Sequence, residues 1–145
     1  MMTRDELDDY LDSIGGLVNG MWAEPRPPIT SNFFSTGDGW NQLIKELIEE
    51  LMALGWDRKV TQVKEKFGGL RFYIGGGSKE VHDAINRAEN KSYTICEDCG
   101  SPGKLRSNRY WELTLCDECN DIGKCKECHQ VGFHKMDCGN KENAL

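Results

Sequence analysis

Seven cysteines occur in this 145-residue chain, and all of them lie between Cys96 and Cys138. Cys96 and Cys99 form one C-x-x-C pair, Cys116 and Cys119 a second, with sixteen residues between the pairs. A C-x-x-C turn presents two thiolates to one side of an ion, and a returning loop brings the other two to the opposite side. Four thiolates at tetrahedral corners are the donor set of a structural zinc site. A site filled by four protein sulfurs leaves no position for a reacting water. Iron–sulfur ligation uses the same donors and is the less usual occupant of this spacing. An odd number of cysteines cannot all pair within one chain, and clustered thiols in a reducing compartment read as metal ligands.

Downstream, Cys125, Cys128, His134 and Cys138 supply a second donor set, spaced C-x2-C-x5-H-x3-C. It is similar to the retroviral-type zinc knuckle, C-x2-C-x4-H-x4-C, and has the same total length. Phe133 stands where the knuckle has its histidine, and His134 follows one residue later. His129 competes as a ligand but adjoins Cys128 directly. Two zinc ions are therefore expected. A cross-braced alternative would join Cys96 and Cys99 to Cys125 and Cys128, leaving Cys116, Cys119, His134 and Cys138 for the other ion. Sequential sites are favoured because the first four cysteines already complete a ribbon.

The elements that must position these ligands come before them. "TRDELDDYLDSIGG" reads as a helix, with Thr3 and Glu6 as a capping box and Gly15-Gly16 as its stop. A connector with Pro25, Pro27 and Pro28 follows, whose Trp22, Ile29, Phe33 and Phe34 are expected on the core. In the strongest helix, Trp40, Leu43, Ile44, Leu47, Ile48, Leu51 and Leu54 form one stripe, with Asp38 as its cap and Gly55 as its stop. "KVTQVKEKFGGLRFYI" predicts a β-hairpin turning at Gly68-Gly69, with Leu70, Phe72 and Ile74 on one face and Arg71 and Tyr73 on the other. Ser78 caps a further helix carrying Val81, Ile85 and Ala88. His82 reads as an ordinary helical residue. The fold class is α+β: helices packed on a β-hairpin (residues 1–95), then a four-cysteine zinc ribbon (96–121) and a short CCHC zinc-knuckle-like tail (122–145). The large apolar residues between 96 and 138 are few, so metal is expected to carry that region's folding.

Net charge is −6. Residues 1–95 hold eleven basic against fifteen acidic groups, and residues 96–145 seven against nine. A strongly basic domain would have pointed to DNA or RNA, and this balance argues mildly against it. No apolar run approaches the roughly 20 residues a membrane helix needs, and the acidic start does not read as a secretory leader. A cytoplasmic location is expected.

Taken together, "GDGWNQLIKELIEEL", "VKEKFGGLRFYI" and "CEDCGSPGKLR…LCDEC" resemble a group of small zinc-ribbon proteins of tailed bacteriophages and prophages, over roughly residues 1–119. The resemblance implies a phage-encoded accessory protein made in the cytoplasm of a bacterial host. The group has no established biochemical activity, so the resemblance supplies no mechanism; no enzymatic activity and no catalytic residues are expected. Consistently, the sequence carries no Ser-His-Asp set, glycine phosphate loop or paired-acid motif in a matching context. The expected function is non-catalytic binding of a host or phage protein, as in inhibition of a host enzyme or defence system. Arg109, Tyr110, Trp111 and Phe133 are the candidate contacts, because aromatics and Arg dominate binding hot spots. Nucleic-acid binding is the alternative, through Arg58, Lys59, Lys64, Lys66, Arg71 and Tyr73 around the hairpin and Lys104, Arg106 and Arg109 in the ribbon. Glu46, Glu49 and Glu50 suggest a third reading, a mimic of acidic nucleic acid.

Overall fold

The computed structural model describes residues 1–20, 27–107 and 112–122, with side chains as far as Asn120. The first helix, α1 (Arg4–Ser13), starts where its cap chemistry demands. Thr3 Oγ1 accepts from the Glu6 N–H at 3.1 Å, and the Glu6 carboxylate accepts from the Thr3 N–H at 3.0 Å. Two of the amides that a helix start leaves unpaired are thereby satisfied. Leu7 and Leu11 point into the core. At the far end the Arg58 guanidinium donates to the carbonyls of Ile14 and Gly16, at 2.5 and 2.9 Å.

The proline-containing connector does more than bridge. It contributes β1 (Val18–Asn19), which pairs in parallel with β3 (Lys59–Val60). It also contributes β2 (Phe34–Ser35), with Ile29 and Phe34 buried and Phe33 packed against the core. Trp22 lies outside the described residues. Strands this short carry too little alternation to be read from sequence.

The second helix, α2 (Asn41–Ala53), buries Leu43, Ile44, Leu47, Ile48 and Leu51. Two expectations for it fail. Asp38 does not cap α2: it begins a single 3-10 turn ahead of the helix, and its carboxylate accepts from Arg4 Nε at 3.2 Å. Leu54 leaves the stripe because it is the C-terminal cap, and it is exposed. Gly55, with φ of 88°, takes the left-handed conformation that ends the helix.

Strands β4 (Gln62–Lys66) and β5 (Gly69–Tyr73) form the expected antiparallel hairpin, and β2 joins β4 in parallel to give sheet order β2-β4-β5. The turn falls one residue earlier than expected. Phe67 and Gly68 are its two residues, with φ of 54° and 83°, and Lys66 pairs with Gly69. Gly69 belongs to β5, where a Cβ would collide with the Tyr93 ring.

Helix α3 (Lys79–Ser92), capped by Ser78, lies against α2 and along the free edge of β5. Ser92 Oγ accepts from the Leu70 N–H at 2.9 Å and Glu89 accepts from the Phe72 N–H at 3.0 Å. Helix side chains thus occupy edge amides that would otherwise offer a template for another strand. Val63, Leu70 and Phe72 from the sheet meet Val81, Ala84, Ile85 and Ala88 from α3 in one core. The chain ends its described course in a second antiparallel hairpin, β6 (Lys104–Arg106) with β7 (Leu113–Leu115), and a short α4 (Asp117–Ile122). No helix among the described residues is long and apolar enough to cross a membrane.

Candidate metal centre

Cys96 follows α3 at the entrance to a tight turn. The Gly100 N–H donates to the Cys96 carbonyl at 2.9 Å, and the Cys96 N–H donates to Ser101 O at 2.8 Å. Gly100, at φ of 81°, turns the chain back and leaves Cys96 and Cys99 on one side. Cys116 and Cys119 stand at the start of α4, where the Cys119 N–H points at Cys116 Sγ, 3.4 Å away. The β6–β7 hairpin carries the second pair back to the first. Close backbone approach makes this possible: a Cβ at Gly103 would lie 2.8 Å from the Cys96 nitrogen.

The four sulfurs converge, all within 4.8 Å of one another. Cys99 Sγ and Cys116 Sγ are 3.6 Å apart. Zinc–sulfur bonds of about 2.3 Å at tetrahedral angles would set sulfurs about 3.8 Å apart, so this donor set fits one four-coordinate ion. The thiols differ in environment. Hydrogen bonds from the Ser101 side chain and backbone draw Cys99 down to about 6. Burial pushes the Cys96 thiol up, and burial together with the neighbouring sulfurs pushes Cys119 up. A metal cation would reverse both upward shifts, because coordination deprotonates a thiol outright.

The site is fastened to the helical core through "GDGW". The Gly39 N–H donates to Glu97 O at 2.6 Å, and the Gly37 N–H donates to the Glu97 carboxylate at 2.9 Å. The Trp40 indole donates to Ile95 O at 2.9 Å. A Cβ at Gly39 would overlap the Cys96 carbonyl, and one at Gly37 would come within 2.5 Å of Glu97 O. These glycines are therefore small because the cysteine strand passes directly over them. Glu97 is buried, and burial raises its carboxyl to about 7 against the lowering effect of the Gly37 N–H. On the far side, Thr114 Oγ1 donates to Gly68 O at 2.6 Å, tying β7 to the turn of the β4–β5 hairpin. Arg106 braces the second pair, donating to Leu115 O at 3.1 Å and pairing with Asp117 at 2.7 Å.

Of the residues singled out in the sequence, Cys96, Cys99, Cys116 and Cys119 come together, and they are the metal-ligand cluster found among the described residues. Cys125, Cys128, His134 and Cys138 lie outside the described residues, as do Arg109, Tyr110, Trp111 and Phe133. Sequence reasoning missed Gly37, Gly39 and Glu97 as the seat of the site. The G-x-G spacing before Trp40 was its one available signal. The chain matches no protein-family model, no curated protein and no solved structure.

Proposed function

We propose that this chain is a zinc-stabilised, non-catalytic binding protein. The observation that supports it is the convergence of four cysteine sulfurs in a closed cluster that splices a two-stranded ribbon onto the helical core. Zinc bound there supplies a cross-link, and four sulfur donors leave it no open position for substrate. Metal analysis of reduced, purified protein tests this. One zinc per chain is expected for Cys96, Cys99, Cys116 and Cys119, and a second for Cys125, Cys128, His134 and Cys138. A Cys128→Ser, Cys138→Ser double variant should drop the count from two to one. Protein free of transition metal would overturn the reading.

The resemblance to phage and prophage ribbon proteins supports an accessory role in a bacterial cytoplasm, acting on a host or phage protein. The aromatic residues that would make that contact, Tyr110 and Trp111 foremost, lie outside the described residues. A specific observation favours the nucleic-acid reading: the outward face of the β4–β5 hairpin gathers Lys64, Lys66 and Arg71 with Tyr73.

A further inference from the structure

The β4–β5 register divides the hairpin into two chemically opposite faces. Val63, Leu70 and Phe72 point inward and are buried. Gln62, Lys64 and Lys66 pair across with Tyr73, Arg71 and Gly69 on the outward face, and Ser35 of β2 adjoins Lys64. The outward positions therefore hold three cations and no carboxylate. Two acids border the face: Glu65 accepts from the Gly68 N–H at 2.7 Å, and Glu89, whose charge also acts on Arg71, accepts from the Phe72 N–H at 3.0 Å. Tyr93 packs over Gly69, and its hydroxyl accepts from Arg71 at 3.2 Å, which holds the guanidinium over the face.

At the tip of this face Phe67 bears two costs at once. It takes φ of 54° beside Gly68 at 83°, the left-handed pair of a two-residue hairpin turn that favours Asn-Gly. A bulky side chain in that conformation is a backbone outlier. The residue is also 65% exposed, with Lys66 Nζ 5.5 Å from the centroid of its ring. Asn would fit the backbone of the turn better, and about two thirds of Phe67 stands in water, so burial is a weak reason for Phe at this position. The ribbon steadies the tip from behind, through Thr114 on Gly68 O and through Leu105 against Gly68.

We infer that this outward face binds single-stranded nucleic acid, with phosphates along Lys64, Lys66 and Arg71 and a base stacked on Phe67. The inference rests on the zinc-stabilised binding-protein reading above and develops its nucleic-acid alternative in place of a protein partner. An exposed aromatic beside a row of cations is the pairing that strand binders use, since every base has a face to stack. A duplex hides those faces, so the single strand is the fitting occupant. The cation row supplies an attraction that the whole chain's charge of −6 would not.

The test is fluorescence anisotropy of the zinc-loaded full chain with a labelled oligothymidine and a labelled duplex of equal length, across a salt series. The single strand should bind more tightly than the duplex. Three phosphate contacts predict that log K falls against log salt with a slope of about −2. Phe67→Asn should weaken binding about tenfold while raising Tm, a combination that a purely structural residue would not give. Lys64→Glu with Lys66→Glu should abolish binding while leaving zinc content unchanged. No binding at low salt, equal binding of Phe67→Asn, or a fall in its Tm would each overturn the inference. So would loss of capture of a protein partner by Phe67→Asn in the absence of oligonucleotide binding. Zinc content measured on the same samples separates the two readings: metal retained without oligonucleotide binding defeats only the partner assignment, whereas missing metal defeats the zinc-stabilised module itself.

Discussion

The helical core and the cysteine hairpin are held together by different physics. Among the described residues, twenty buried apolar side chains, from Leu7 to Ala88, form the first as a single cluster. From residue 96 onward, the described apolar residues that are buried are Cys96 and Leu115, beside the polar Glu97, Thr114 and Asn120. Area removed from water stabilises the core at about 25 cal/mol per Å². The hairpin region has little such area and relies instead on directed bonds: a seat of backbone hydrogen bonds on "GDGW" and four sulfurs positioned for one ion. One region tolerates change by repacking. The other depends on a few atoms being in place.

Metal removal is the sharpest way to break this comparison. Structural zinc contributes on the order of 10 kcal/mol of apparent binding free energy to small metallodomains. Chelation under reducing conditions should therefore erase amide-exchange protection at Gly100, Glu97 and Cys96, whose N–H groups bond within the hairpin region. Amides of α2 and α3 should remain protected. Cys116→Ser should give the same pattern. Full protection of the hairpin after verified metal loss would show that its directed hydrogen bonds suffice without the ion.

Ile48→Ala addresses the other half. Ile48 is fully buried in α2, and truncating such a side chain costs about 2–5 kcal/mol because the cavity collapses only in part. A lower Tm with zinc stoichiometry unchanged is expected in thermal melts followed by metal analysis. Zinc lost in proportion to stability would mean that the two regions unfold as one.

Their junction decides between those outcomes. Gly39→Ala places a Cβ onto the Cys96 carbonyl and should cost about 1–3 kcal/mol, as overpacking does. Because the displaced strand carries a ligand, zinc affinity measured by competition with a chelator should fall with it. Unchanged affinity would show the strand relaxing away from the core without moving Cys96.

What could be read from sequence follows the same division. Helical stripes, the α1 capping box and the C-x-x-C pairs are signals contained in short windows, and Leu43 through Leu51, Thr3 with Glu6 and the four cysteines were legible for that reason. Leu54 and Asp38 misled because helix ends depend on what lies beside them, here solvent for one and Arg4 for the other. The turn was placed one residue late because Gly68-Gly69 is the stronger local signal, whereas the packing of Tyr93 assigns Gly69 to the strand. Gly37 and Gly39 were illegible as parts of the site, because their reason is a contact with Glu97 about sixty residues away.

The smallest effect belongs to the edge of the core, farthest in chain order from the cysteines. Thr3→Ala removes the acceptor for the Glu6 N–H and should cost about 1 kcal/mol. Glu6 answers through pH. Hydrogen bonds from the Thr3 backbone and side chain hold its carboxyl below the ordinary value of 4.5. The folded chain therefore binds that proton less readily than the unfolded chain, and the stabilisation is complete above the unfolded pKa. It is lost as pH falls through the lowered folded value. Glu6→Gln keeps a side-chain acceptor for the Thr3 N–H but cannot titrate, so its stability should fall less than the parent's between pH 5 and pH 3 in denaturant melts. Parallel pH profiles for parent and variant would show that the box is held by geometry alone, without the charge.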